Sequence, residues 1–168
     1  MATYVAPPDG PVAKLRFRTN QDHGFTRLAR IDTTNCPAGV KAQAVAAMHG
    51  KGLNEQAEVS AVHMIGSTDK PEITIRERLI EAGRPFLFSV LGSVATANAT
   101  FNCNLMGRFD PEPSKEYELA YSLLIQERKC TAVIYVLGQE TSGDVVRTRE
   151  RTQKYFKVTE GREFCEKP

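Results

Sequence analysis

The chain of 168 residues is long enough for one domain with a substantial core, and its 41% hydrophobic and 25% charged content belongs to a folded globular protein rather than a disordered one. No stretch is apolar over the length that a membrane-crossing helix needs. The net charge of +2 is too slight to predict nucleic acid as a partner, since phosphate binding draws on a concentrated basic surface.

Residues 1–12 read as an extended, proline-rich lead-in, because Pro7, Pro8, Gly10 and Pro11 oppose helix and strand ladders alike. Residues 13–168 read as the domain proper. Leu15 and Phe17 alternate with Lys14, Arg16 and Arg18, which predicts a strand with one wet face, and Phe25 to Ile31 supplies a partner strand. The turn cluster "DTTNCP" leaves Cys36 at a strand exit. The alanine-rich "VKAQAVAAMHG" closes on Gly50 as a short helix with a glycine cap would, while Val40 and Val45 keep a strand over 40–49 open. "HGKGLNEQ" is a flexible loop. Val59 to Ile65 and Ile73 to Ile80 are predicted strands, and Phe86 to Leu91, apolar on both faces, is a central one that "GSVATANA" ends.

The clearest pattern lies further on. Phe101, Cys103, Leu105 and Phe109 share a face, and Tyr117, Leu119, Tyr121, Leu123 and Ile125 form a second stripe opposed by Glu118, Ala120, Ser122 and Gln126. Such a period of two predicts half-buried antiparallel strands. "QERK" turns the chain into an apolar run from Cys130 to Leu137, and residues 145–158 read as an edge strand or a surface helix. The expectation is an all-β, single-domain antiparallel β-sandwich of about eight strands, Greek-key-like, with at most one short helix.

Cys36, Cys103, Cys130 and Cys165 form no CxxC, so their even number favours two disulfides over a zinc site, over one disulfide with free thiols and over buried thiols. Disulfides in turn favour an oxidising compartment. In a simple meander Cys103 and Cys130 would flank a middle strand about 9.6 Å apart, beyond the roughly 7 Å limit of a disulfide. Joining them requires the first strand to lie in the facing sheet. The favoured pairing is Cys103–Cys130 with Cys36–Cys165, the second bond holding an otherwise polar tail.

Chemistry is harder to find. There is no GxSxG elbow, P-loop, HExxH or EF-hand loop, and Gly50, Lys51 and Gly52 lack the Lys-Ser/Thr that a P-loop needs. His23, His49 and His63 are scattered, and His63 reads as a satisfied strand residue. Glu72, Glu77 and Glu81 sit where solvated strand and turn residues belong, and the sequon at Asn98 matters only in a glycosylating pathway. No catalytic residue, metal ligand or cofactor is assigned. Arg147, Arg149, Arg151 and Lys154 alternate with Thr148, Glu150 and Thr152, which in a strand gathers arginines on one face. They either dock a partner or guard a sheet edge.

"TYVAPPDGPVAKLRF" resembles the start of the mature region of uncharacterised proteobacterial periplasmic and outer-membrane lipoproteins, where a lipid-bearing cysteine precedes a proline-rich segment and a first strand. "AGRPFLF" and "CNLMGRFDPEPSKEYELAY…KC" are similar to the β-rich bodies of such proteins. The resemblance covers residues 3–18 and 82–137 and carries no catalytic motif. No signal peptide or lipobox cysteine precedes it, so Met1 would stand in place of the lipidated cysteine, and Ala2 after it implies sorting to the outer membrane. The resemblance implies a native molecule that is lipid-anchored and faces the periplasm, and the lack of catalytic constellations together with the sandwich pattern favours a non-enzymatic module of the cell envelope that binds another protein or acts as a scaffold. Its sharper form is an immunity or inhibitor protein against a secreted toxin or cell-wall enzyme. The competing classes are a small-ligand carrier with an apolar cavity between its sheets and a hydrolase with an unrecognised site.

Overall fold

Alternation along the chain translates into two sheets packed face to face. The computed structural model describes residues 1–36, 38–51, 55–156 and 164–165. Its strands are β1 (Ala2–Thr3), β2 (Val12–Thr19), β3 (Phe25–Asp32), β4 (Lys41–His49), β5 (Ile75–Glu81), β6 (Phe86–Ala95), β7 (Thr100–Phe109), β8 (Glu116–Leu124), β9 (Lys129–Gln139), β10 (Val145–Arg149) and β11 (Lys154–Phe156). The six-stranded sheet has the order β1-β4-β3-β6-β7-β11 and the five-stranded sheet the order β10-β9-β8-β2-β5. The fold is an all-β sandwich.

Its core is filled by the inward members of each stripe, among them Leu15 and Phe17 of β2, Phe86, Phe88 and Val90 of β6, and Tyr117, Leu119, Tyr121 and Leu123 of β8. Aromatic rings run through it edge to face, from Tyr4 to Phe86 (6.1 Å), Phe86 to Phe109 (5.8 Å) and Phe109 to Tyr117 (5.1 Å). Such contacts add to the apolar area that each ring buries. Tyr4 also accepts the Glu81 amide on its hydroxyl at 2.8 Å. The lead-in of the sequence reading is therefore joined to the body at its start, through β1 and Tyr4.

Several expectations change. Eleven strands occur among the described residues rather than about eight, and the sheets are mixed, because β1 runs parallel to β4 and β2 parallel to β8. Of the helix and the strand left open over 40–49, the strand forms, as β4. Pairing with β3 on one side and β1 on the other satisfies its backbone and overrides the helix propensity of its alanines. Residues 145–158 contain β10 and β11 as far as Phe156, while 157 and 158 lie outside the described residues, as do 52–54 of the loop after β4. No helix occurs among the described residues. The segment Phe25 to Ile31 is a strand, but it lies in the sheet opposite β2.

Val59 to Ile65 is not a strand. Ser60 Oγ accepts the amides of Val62 (3.3 Å) and His63 (3.2 Å), and His63 takes a positive φ of 54°, so the backbone turns on itself. His63 is thus an exposed turn residue rather than a strand residue. Gly92, expected to break β6, continues it to Ala95. A Cβ there would collide with the Tyr121 phenol, whose hydroxyl donates to the Cys103 carbonyl at 3.0 Å. The glycine is the space into which a facing aromatic fits.

Both disulfides pair as expected. Cys103 on β7 reaches across to Cys130 on β9 of the facing sheet with a Cα separation of 6.1 Å, and Cys36 joins Cys165 at 5.3 Å. No cysteine is free. Two disulfides are compatible with an extracytoplasmic location.

Titration of the unfolded, unreduced chain is expected to find no reactive thiol. Removing the Cys103–Cys130 bond with Cys103→Ala and Cys130→Ala frees a closure of 27 positions, and loop-entropy reasoning gives a loss of about 3–4 kcal/mol in denaturant unfolding. Gly92→Ala should cost about 1–3 kcal/mol by overpacking against Tyr121.

Candidate functional site

The outer face of the five-stranded sheet carries the densest polar chemistry in the molecule. Alternation turns Lys14, Arg16 and Arg18 of β2, Glu116 and Glu118 of β8, and Glu77 of β5 away from the core. The register sets Glu77, Arg16, Glu118, Tyr135 and Arg149 side by side in one row across all five strands. Opposite charges therefore meet as direct cross-strand neighbours.

Arg16 donates from Nε to Glu77 Oε1 at 2.7 Å and from Nη1 to Glu118 Oε2 at 3.5 Å. Arg18 Nη2 donates to Glu118 Oε1 at 2.9 Å, and Arg147 of β10 adds Nε to Oε1 at 2.9 Å and Nη2 to Oε2 at 3.2 Å. Arg16 is 4% exposed, Glu77 3% and Glu118 0%. Charges so far from water are tolerated only when paired and fully hydrogen-bonded, which is the state of both carboxylates.

A loop covers this lattice. Residues 58–72 form an Ω-type loop whose neck is closed by two hydrogen bonds, Glu58 N–H to Glu72 O and Glu72 N–H to Glu58 O, both 3.0 Å. Arg76, 3% exposed, secures the neck from below by donating to the carbonyls of Glu72 (2.8 Å) and Gln56 (2.7 Å), while Glu58 pairs with Arg78. The body of the loop is fastened by the lattice itself. Ser67 Oγ reaches both oxygens of Glu77 (2.9 and 2.7 Å) and Ser60 Oγ donates to the same carboxylate. Arg16 Nη2 donates to Ile65 O at 2.6 Å, the Ile65 amide donates to Glu116 Oε1 at 2.8 Å, and Lys14 Nζ donates to His63 O at 2.9 Å. Met64 is buried beneath it. Beside the loop opens a polar cleft of about 240 Å³ lined by Arg18, Ser67, Lys70, Glu118 and Arg147 among others.

Burial pushes the Glu77 carboxyl upward, yet the hydroxyls of Ser60 and Ser67 and the Arg16 guanidinium outweigh it and hold the group below the usual carboxylate range. Burial acts on Glu118 in the same way, and Arg147, Arg18 and Arg16 together overcome it. Both groups stay ionised at neutral pH, which suits them to holding cations and hydroxyls rather than to donating protons. Two of the three histidines lie elsewhere. His23 contacts Asp22 at 2.6 Å, His49 packs edge to face on Phe25 at 5.1 Å, and His63 sits on the loop.

The four basic residues marked by the sequence do not share one face. Arg147 and Arg149 point outward from β10, and Arg147 is engaged by Glu118. Arg151 lies in the exposed bend after β10, and Lys154 belongs to β11, paired with Arg108 of the other sheet. Arg149 and Arg151 flank an open cleft with Gln153 and Tyr155, where neither makes an ion pair among the described residues. Sequence reasoning missed the lattice because it took Lys14, Arg16 and Arg18 as a wet face and Glu77 as solvated. The usable signal was Arg16 and Arg18 alternating on one strand while Glu116 and Glu118 alternate on another.

Comparison with protein-family models, with curated proteins and with solved structures returned no match.

Glu118→Gln breaks a buried pair and is expected to destabilise the fold by about 3–5 kcal/mol, against no more than about 1 kcal/mol for Glu58→Gln at the half-exposed neck. Because Glu77 and Glu118 have depressed folded-state pKa values, their contribution is complete above the unfolded carboxylate pKa of about 4.3 and is lost as pH falls through the folded values. Melting temperature measured against pH should fall below pH 4–5, and the fall should flatten in the Glu118→Gln variant.

Proposed function

We propose that this protein is a non-enzymatic module of the bacterial cell envelope that binds another protein or serves as a scaffold, facing the periplasm and tethered by lipid to the outer membrane in its native form. The observation that carries this reading is the use to which the buried charges are put. Arg16, Glu77 and Glu118 are committed to one another and to fixing the 58–72 loop on a rigid sheet, while Arg149 on β10 and Arg151 in the bend after it stand exposed. Exposed guanidinium forks can dock a carboxylate-bearing protein surface, and a pre-organised loop leaves little ordering cost to be met on binding. The two disulfides support an oxidising compartment, and the resemblance to proteobacterial lipoproteins supports the lipid tether.

The fastened neck of the loop favours, within this reading, an inhibitor or immunity protein. A segment held at both ends and projecting Thr68, Asp69 and Lys70 into solvent is a geometry that can enter the cleft of an enzyme at low entropic cost.

Co-purification from a periplasmic extract with the oxidised protein is expected to capture a protein partner, and a single stoichiometric enzyme would mark the inhibitor form. The double variant Arg149→Glu, Arg151→Glu should lose the partner while keeping its melting temperature. Capture unaffected by the charge reversal would remove this face from the interaction, and turnover of a substrate by the purified protein would overturn the non-enzymatic reading.

A further inference from the structure

The other sheet presents a different chemistry on its outer side. There the register sets Leu87 of β6 beside Arg108 of β7, and Phe156 of β11 beside Met106 of β7. The Cys36–Cys165 bond holds the neighbouring Phe164 at this surface, so that its ring lies 5.1 Å from Phe156, edge to face, and is 8% exposed. Between tail and sheet is a cleft of about 370 Å³ with Leu87, Phe156, Phe164 and the Cys36–Cys165 disulfide in its lining. That volume falls within the range of small-molecule sites, which are largely apolar with a few placed polar groups.

The polar groups here are cationic. Arg108 donates from Nη2 to Asp110 at 3.0 Å, but its Nε is buried and has no hydrogen-bond partner among the described residues. Arg84 is largely exposed and touches Glu81 only at 3.7 Å. Arg30 also lines the cleft and is already engaged by Glu81 and Gln43. The single carboxylate in the lining, Asp32, accepts the Thr34 amide at 3.0 Å. Glu81 and Asp110 behind the lining balance the charge of Arg30, Arg84 and Arg108, so what the slot offers is donor capacity left over: the Arg84 fork, held only at 3.7 Å, and the Arg108 Nε. An unpartnered buried N–H is an unmet cost that an incoming oxygen would relieve.

We propose that this cleft binds an amphipathic carboxylate of medium chain length, its alkyl chain against Leu87 and the Phe156–Phe164 pair and its carboxylate at Arg84 and Arg108. Arginine offers forked donors to a carboxylate and leaves an alcohol or an ammonium head without a match. Because Phe164 is held by Cys165, the binding wall exists only in the oxidised protein.

Calorimetric titration of the oxidised full chain with decanoate below its micellar concentration tests this, with decyltrimethylammonium as the control of opposite charge. Decanoate should bind and the ammonium should not. Arg108→Ala should weaken decanoate by about tenfold or more, as loss of a charge-assisted bond does. Phe164→Ala, which leaves the disulfide in place, should weaken it as well, and so should reduction of the wild-type protein under conditions that keep its circular dichroism. The proposal is overturned if decanoate fails to bind, if the ammonium binds equally, or if Arg108→Ala and Phe164→Ala both titrate like the wild type. Binding to phosphatidylglycerol vesicles without binding to free decanoate would also overturn it, because the site would then read a lipid headgroup.

Discussion

Glu118 is removed from water completely, and a carboxylate in that position has to be answered by positive charge. Three arginines from two strands converge on it, and the requirement propagates. Arg16, itself buried, needs a second anion and finds Glu77 one strand away. Glu77 then has room for two hydroxyl donors, and Ser60 and Ser67 supply them from a loop that is otherwise remote. The loop is positioned because a charge network would be incomplete without it. The same lattice helps specify the pairing of β2 with β8, which no hairpin dictates. A shift of one residue would turn Glu118 into the core and Tyr117 out to solvent, and both changes are prohibitive.

The two outer surfaces of the sandwich are therefore unequal. On the five-stranded sheet the ionised groups of the buried lattice neutralise one another, and its exposed arginines lie toward β10 and the bend that follows it. On the six-stranded sheet arginines rim an apolar hollow, and the tail forms one wall of it. The apolar core between them serves both, and the Cys103–Cys130 bond ties the layers together at one end.

Much of this architecture could be read from the residues because strands announce themselves by period. The stripes through Phe101–Phe109 and Tyr117–Ile125 gave the sandwich, and the distance argument about Cys103 and Cys130 placed their strands in opposite sheets. The reading stayed open or failed where tertiary context decided. Ala42, Ala44 and Ala46 carry a helical preference that two flanking strands override, and the apolar letters of Val59 to Ile65 conceal a serine-capped turn. The candidate site was hidden for a related reason. Alternation marks which side chains leave the core, yet it cannot say whether water or another segment waits outside, so Arg16 and Glu77 passed as surface residues.

The nesting of the two disulfides carries a kinetic consequence. Cys36 bonds to Cys165 and encloses the whole Cys103–Cys130 pair. A chain threading amino end first into an oxidising space would expose Cys36 and Cys103 together before either native partner emerges, so joining cysteines in order of arrival yields the wrong pair. On such a route the native pairing would call for thiol exchange, or for Cys36 to stay reduced until the last residues arrive.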